Sequence, residues 1–350
     1  MTGIQAGKVW LDMASIKDVA TLAGVHRSTV SRIINGEGTF RADTRRKVEC
    51  AMAELNYRPS AIARSLATAS SNMAGLLVTF YTGGFFGEMM GQVQEELDRS
   101  NKFLITAQGH LSADGEREAI RRFHDLRCEG YVLNSRYLSD DELRSLAGEP
   151  TPFVLLDRIV PGLEDRCISF DHTKAAKLAV QHLIANGHQN IACITGPAGR
   201  SSSQARYLGY MDALRESGIV VNPRLCVEGN YERESGYLAV QSLYQSSQPF
   251  TALFSCNEEM MLGAVQYFHE HKINIPDQVS LISFDSVGLC SSLYPMLSEV
   301  HFPIRDMARA AVQLLMAQIA AKGNAVNDVV IERRFKPELI DRLSVRALKK

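Results

Sequence analysis

Ala20, Gly24 and Val30 stand four and six positions apart near the N-terminus, the spacing a helix-turn-helix needs. A small residue lets two helices approach, a glycine takes the left-handed conformation of a sharp turn, and a β-branched residue fills the space between the helices. The second helix of such a unit turns Arg27, Ser28, Ser31 and Arg32 outward. Arginine can donate two hydrogen bonds to one guanine edge in the major groove, so this face has the chemistry of base recognition. The same spacing also suits an ordinary helical hairpin.

A second set of polar residues falls just beyond short apolar runs. Asp157 follows Leu155-Leu156, Asn257 follows Ser255-Cys256, and Asp285 follows Ser283-Phe284. A carboxylate or amide can bond two adjacent sugar hydroxyls, and Arg206 offers a planar fork of donors to such a pair. Each also has a plain structural use, as a loop cap or a salt bridge between lobes. His269-Glu270-His271 puts its two imidazoles on different sides of a helix, so no metal is expected there.

The elements that must carry these residues are of two kinds. Residues 16–56 read as three short helices: one capped by Ser15 and ended by Gly24, one from Arg27 or Ser28 to Asn35, and one from about Arg41 to Leu55 with Val48, Met52 and Leu55 on one stripe. From Ala74 onward the pattern changes to apolar strands alternating with amphipathic helices. The strands are expected at Gly75–Phe80, Phe103–Ala107, Gly130–Asn134, Phe153–Leu156, Asn190–Thr195, Thr251–Cys256 and Val279–Phe284. Helices are expected at Phe86–Ser100, Ala113–Leu126, Thr173–Asn186, Gln204–Ser217 and Glu258–His271. Such alternation predicts parallel sheets covered on both faces, and about 270 residues of it predict two lobes.

Composition agrees with a soluble two- or three-domain protein: 350 residues exceed what one core usually organises, and 45% apolar with 22% charged residues is ordinary for a globular chain. The positive charge is uneven. The first 70 residues carry 10 Lys/Arg against 6 Asp/Glu, whereas the remainder carries 28 against 33. Seven scattered cysteines show neither a disulfide framework nor a zinc spacing. No apolar run reaches the length of a membrane helix and residues 1–15 lack a secretory layout, so no membrane association and a cytoplasmic location are expected. Phosphate-binding loops, dinucleotide fingerprints, nucleophile elbows and His-Glu-x-x-His are absent from the sequence, which argues against an enzyme and against a cofactor.

The run Ile16-Lys17-Asp18-Val19-Ala20, then Ala23-Gly24-Val25, then Thr29-Val30-Ser31-Arg32-Ile33-Ile34-Asn35, resembles the N-terminal signature of the lactose/galactose-repressor family. Leu55-Asn56-Tyr57-Arg58-Pro59 followed by Ala63-Arg64-Ser65-Leu66-Ala67 resembles the same family's hinge, and Leu156–Ser169 is similar to its galactose-repressor branch. The resemblance implies an all-α helix-turn-helix DNA-binding domain joined to an α/β two-lobed, periplasmic-binding-protein-like effector domain with doubly wound parallel sheets. It implies a homodimer that binds double-stranded operator DNA under control of a small effector, a hexose or hexoside. The family also contains purine- and nucleoside-responsive members, and a sugar-binding transport receptor shares the two-lobed architecture.

Domains are expected at 1–14 (extension), 15–58 (DNA-binding), 59–72 (hinge helix and linker), 73–342 (effector binding and dimerisation) and 343–350 (tail). Within the large domain, one lobe takes about 73–170 plus 300–328 and the other 171–299 plus 329–342. Met13 falls where family members usually start. The tail is too short for the heptads of a tetramerising coiled coil. By resemblance Ser15, Lys17, Arg27, Ser28, Thr29, Ser31, Arg32, Asn35, Tyr57, Ser60, Ala63 and Leu66 face DNA, with Leu66 either wedging the minor groove or packing between protomers. His26 and Ser60 depart from the family's usual Ser and Asn, which bears on operator preference. Arg206, Asn257 and Asp285 fall on the family's effector contacts, and Phe86 and Tyr231 on an apolar or aromatic wall against the ligand.

Overall fold

A computed structural model describes residues 14–36, 38–58, 71–285, 287–321 and 330–348. The chain divides into two compact units, one up to Asn72 and one from Met73 onward. The expected hinge residues Ser60, Ala63 and Leu66 lie outside the described residues.

The first unit is three helices: α1 (Ile16–Ala23), α2 (Arg27–Ile34) and α3 (Ala42–Glu54). Helix α1 begins with a capping box in which Ser15 and Asp18 satisfy each other's backbone N–H groups. It ends at Gly24, whose φ of 63° is the left-handed conformation that glycine adopts without a Cβ clash. Val19, Ala20, Ala23, Val30, Val48 and Ala51 form the buried core, so the small residue and the β-branched residue of the turn motif both point inward. This leaves the polar face of α2 outside.

The second unit contains two six-stranded sheets. The first has the order β11-β5-β4-β3-β1-β2, built from β1 (Met73–Val78), β2 (Phe103–Gln108), β3 (Tyr131–Leu133), β4 (Phe153–Leu156), β5 (Cys167–Phe170) and β11 (Arg334–Phe335). All its strand pairs are parallel. The second has the order β12-β10-β9-β8-β6-β7, built from β6 (Ile191–Thr195), β7 (Cys226–Glu228), β8 (Ala252–Ser255), β9 (Ser280–Asp285), β10 (Ser298–His301) and β12 (Glu338–Ile340). Only β12, against β10, runs antiparallel. Near-continuous burial along β1, β4, β6, β8 and β9 is what helices on both faces impose.

The covering helices are α4 (Gly84–Arg99), α5 (Ala113–Asp125), α6 (Asp140–Leu146), α7 (His172–Ala185), α8 (Ser201–Glu216), α9 (Arg233–Gln245), α10 (Glu258–Glu270) and α11 (Ile304–Ala321). The chain passes between the sheets at Asp171, at Phe302-Pro303 and at Lys336-Pro337. The second and third passages fall later than the expected 300 and 329, because β10 pairs in the second sheet and β11 in the first. Short, weakly apolar strands such as β11 carry little signal of their own. Residues 343–348 are no free tail: the Leu281 N–H donates to the Ser344 carbonyl, and the Leu348 N–H donates to that of Asn186.

Candidate effector cleft and DNA-facing helix

The carboxyl ends of β1, β3 and β4 and the N-termini of α4, α8, α9 and α10 converge on one cavity of about 390 Å³. Ligands in open parallel-sheet folds lie at such strand ends, where helix N-termini present unpaired N–H groups and positive dipole ends. Asn257 caps α10 by accepting from the Met260 N–H at 3.1 Å, whereas the caps Gly83, Arg200 and Glu232 of the other three make no side-chain cap bond.

Phe86, Asp157, Arg206, Tyr231 and Asn257 all line this cavity. Phe86 packs edge-on against Phe80 and Phe85, making an aromatic wall. The Tyr231 ring stands within cation–π range of Arg200, at 5.5 Å, and of Arg206, at 6.0 Å. Asp157 and Tyr231 both hold left-handed backbone, with φ of 61° and 72°. A tyrosine adopts that conformation only where surrounding structure enforces it.

Asp285 differs from its expected role. It is not among the residues lining the cavity; one carboxylate oxygen accepts from the N–H groups of Val287 and Gly288 and the other from that of Cys290. Its carboxylate therefore shapes the loop after β9, the loop-cap use open to an acid just past a strand.

The Asp157 carboxylate is also engaged. Oδ2 accepts from Arg136 Nη2 at 2.6 Å and Oδ1 lies 2.8 Å from His172 Nε2. Burial pushes this acid upward, but the charge of Arg136 and the hydrogen bonds from Arg136 and His172 outweigh it and hold it well below the usual carboxylate range. Arg206 is buried, donates from Nη1 to the Cys256 carbonyl and from Nε to His172 Nδ1 at 3.2 Å, and lies 4.1 Å over the Phe284 ring. Cys256 and Phe284 belong to the second sheet's layer, and among the described residues His172 links Arg206 by hydrogen bonds to Asp157 beyond the first sheet's β4.

Several cavity residues carried no sequence signal. Arg136 reaches the site because Glu116, buried on α5, accepts from the Ser135 hydroxyl and from the N–H groups of Arg136, Tyr137 and Leu138, fixing the loop after β3. Asn134, Arg200 and Arg233 also line the cavity from loop and helix-start positions. A strand end followed by a polar residue marks Asn134, but nothing in the sequence distinguishes Glu116 from a solvated helix acid.

On the small unit, Ser15, Lys17, Arg27, Ser28 and Arg32 are exposed, and Thr29, Ser31 and Asn35 half-buried. The Ser15 hydroxyl is held by Asp18, and that of Ser28 lies 2.8 Å from His26 Nδ1, which also accepts from the Ser28 N–H. Arg32 stacks over Phe40 at 5.4 Å. Tyr57 packs half-buried against the three-helix core.

Residues 15–60 match the family described as bacterial regulatory proteins, lacI family, and residues 180–345 match the periplasmic binding protein-like domain. The chain is 36% identical to the HTH-type transcriptional regulator GalR of Escherichia coli over 333 residues, 95% of this chain and 96% of that one. The chain belongs to the lacI family of transcriptional regulators. Among solved structures, a sugar-binding lacI-family regulator from Escherichia coli, complexed with phosphate, superposes with a TM-score of 0.72 at 32% identity over 80% of this chain and 100% of that one. The lac repressor dimer bound to operator and an anti-inducer gives 0.83 at 25% identity over 95% and 99%. The protein is a DNA-binding transcriptional regulator, not an enzyme. Among the described residues no helix is long and apolar enough to cross a membrane.

Proposed function

We propose that this lacI-family regulator is a repressor whose effector is a hexose or hexoside held in the cleft, with Phe86 and Tyr231 against the apolar face of the sugar and Arg206 donating to adjacent hydroxyls. The observation that supports this most is the cavity: about 390 Å³, walled by aromatic rings, with the anchored guanidiniums of Arg136 and Arg206 and several helix N-termini that lack a side-chain cap. That volume lies at the small end of ligand pockets, which favours a monosaccharide-sized ligand. The sugar-binding description of one solved relative points the same way. Asp157 is held by Arg136 and His172 and orients Arg136 in the cavity wall, and Asp285 acts through its loop.

The test is calorimetry and thermal unfolding of the full chain with D-galactose, D-glucose, methyl β-D-galactoside, hypoxanthine and inosine. A hexose or hexoside is expected to bind and to raise the unfolding temperature; at one hundred times Kd the stabilisation is about 2.7 kcal/mol. Binding of hypoxanthine or inosine alone would replace the sugar reading by a purine one. Operator affinity, read by fluorescence anisotropy, is expected to change when the bound hexose is added, since a ligand that favours one lobe arrangement shifts any equilibrium linked to it.

A further inference from the structure

Charged residues of the cleft and one imidazole behind its lining form one chain of hydrogen bonds across both sheets. Arg136 beyond β3 donates to Asp157 beyond β4; Asp157 Oδ1 lies 2.8 Å from His172 Nε2; His172 Nδ1 is 3.2 Å from Arg206 Nε; and Arg206 continues to the Cys256 carbonyl beyond β8. His172 opens α7, immediately after the first passage between the sheets, and its ring stacks on Phe302 of the second passage at 5.5 Å and 21°. Asp157, His172 and Arg206 are each less than 10% exposed.

Elementary donor counting fixes the imidazole's state. A guanidinium Nε–H can only donate, so His172 Nδ1 must accept and carries no proton. The ring's proton then lies on Nε2 and is donated to the Asp157 carboxylate. An imidazolium would set an N–H against the Arg206 N–H and place two cations in contact. We propose that His172 is the positioning residue of the cleft: as a neutral Nε2–H imidazole it holds the Arg206 guanidinium in place and ties it to Asp157 on the other side of the passage.

The groups facing the ring agree with this. Burial lowers its affinity for a proton, Asp157 raises it, and Arg206 and Arg136 lower it, with a net depression below the ordinary imidazole value. Phe170, Phe284 and Phe302 pack around the ring and supply no charge. Protonation of Nδ1 would eject the Arg206 Nε–H, so the cleft's arginine is set by the charge state of a residue that does not line the cavity. Its relevance to ligand binding rests on the effector reading above; the tautomer and the Arg206 bond do not.

The experiment uses the deuterated, ¹⁵N-labelled full chain. Two-bond ¹H–¹⁵N correlations report each ring, with His172 assigned by its loss in His172→Gln and the Arg206 Nε–H by its loss in Arg206→Lys. At neutral pH the expected pattern is a pyridine-type Nδ1, a pyrrole-type Nε2 and a protected, downfield-shifted Arg206 Nε–H. On acidification that Nε–H signal is expected to vanish in the same step in which His172 protonates, at a pH below ordinary histidine titration. His172→Phe should abolish the Arg206 signal and His172→Gln should retain it, because the amide oxygen can accept where Nδ1 did.

An Nδ1–H tautomer, an imidazolium at neutral pH, or an Arg206 signal indifferent to His172 titration would each overturn the proposal. The wild-type titration decides even where His172→Phe does not fold. Failure of every hexose to bind would overturn the effector reading, whereas the role of His172 stands or falls on these resonances alone.

Discussion

At the scale of single residues, the cleft shows how far a side chain's type can predict its use. Arg206 lines the cavity, and its Nη1 and Nε are spent on Cys256 and His172. Replacing it by Ala is expected to weaken hexose binding by roughly 1.5–3 kcal/mol, about ten- to hundredfold, in a calorimetric titration. Arg206→Lys should recover little of this, because an ammonium cannot make the forked contacts of a guanidinium. Asp157 makes a different prediction. A carboxylate whose folded pKa is depressed contributes stability that is complete above its unfolded value, about 3.9, and is lost as pH falls toward the folded one. Wild-type stability in urea should therefore fall more steeply between roughly pH 5 and pH 3 than that of Asp157→Asn; parallel curves would contradict this. Asn257 could be placed at the cleft from the sequence because a polar residue just past a strand end has few other places to go, whereas Arg206 was placed there by its resemblance to the family's effector contacts. Asp285 satisfied the same pattern and yet turned into its own loop, since three backbone N–H groups compete for one carboxylate there. Nothing local in the sequence encodes that competition, nor the hydrogen-bond partners of His172, Asp157 and Arg206, which come from two distant segments.

At the scale of elements, glycines set what the helices can do. Gly24 holds φ 63° with open space around its Cα, so Gly24→Ala would suffer backbone strain without a clash. The cost should be about 1–2 kcal/mol, read as faster amide exchange across α1 and α2 and weaker operator binding. Gly236 on α9 and Gly263 on α10 are a contrasting pair: an added methyl on the first would overlap the Met260 carbonyl, and on the second the Arg233 carbonyl. The two helices pack backbone to backbone, so Gly236→Ala or Gly263→Ala should destabilise the second sheet's layer by roughly 1–3 kcal/mol, with exchange increased in peptides spanning 233–270. Seven strands and five helices of the large unit were legible in the sequence to within a few residues, because burial on a helix stripe or on both faces of a strand imposes a period. Strands β5, β7, β10, β11 and β12 and helices α6, α9 and α11 were not among the expected elements. Those strands are two to four residues long, and their pairing is dictated by where the chain returns to each sheet rather than by composition. The late passages between sheets follow from the same fact.

At the scale of the whole molecule, the two units divide the work that their surfaces allow. The reader is a three-helix unit with a core of six buried residues, and one α2 of eight residues presents few side chains to a groove. A single reader makes too few base contacts for a specific site, whereas two related by a two-fold axis read a palindrome with half-sites about one helical turn apart or a multiple of it. We therefore expect a homodimer. Residues 343–348 are fixed to the second sheet's layer through Ser344, Arg346 and Leu348, with the Arg346 carbonyl 3.1 Å from His188 Nε2. Sedimentation velocity of the full chain should show a dimer at concentrations that saturate a palindromic operator, and a half-site should bind far more weakly. The excess of positive charge in the first 70 residues adds a further expectation: operator affinity should fall steeply and linearly on a logarithmic plot against salt, as release of counterions from phosphate requires. A stable tetramer, or a monomer that binds a half-site as tightly as the dimer binds the palindrome, would contradict this assembly.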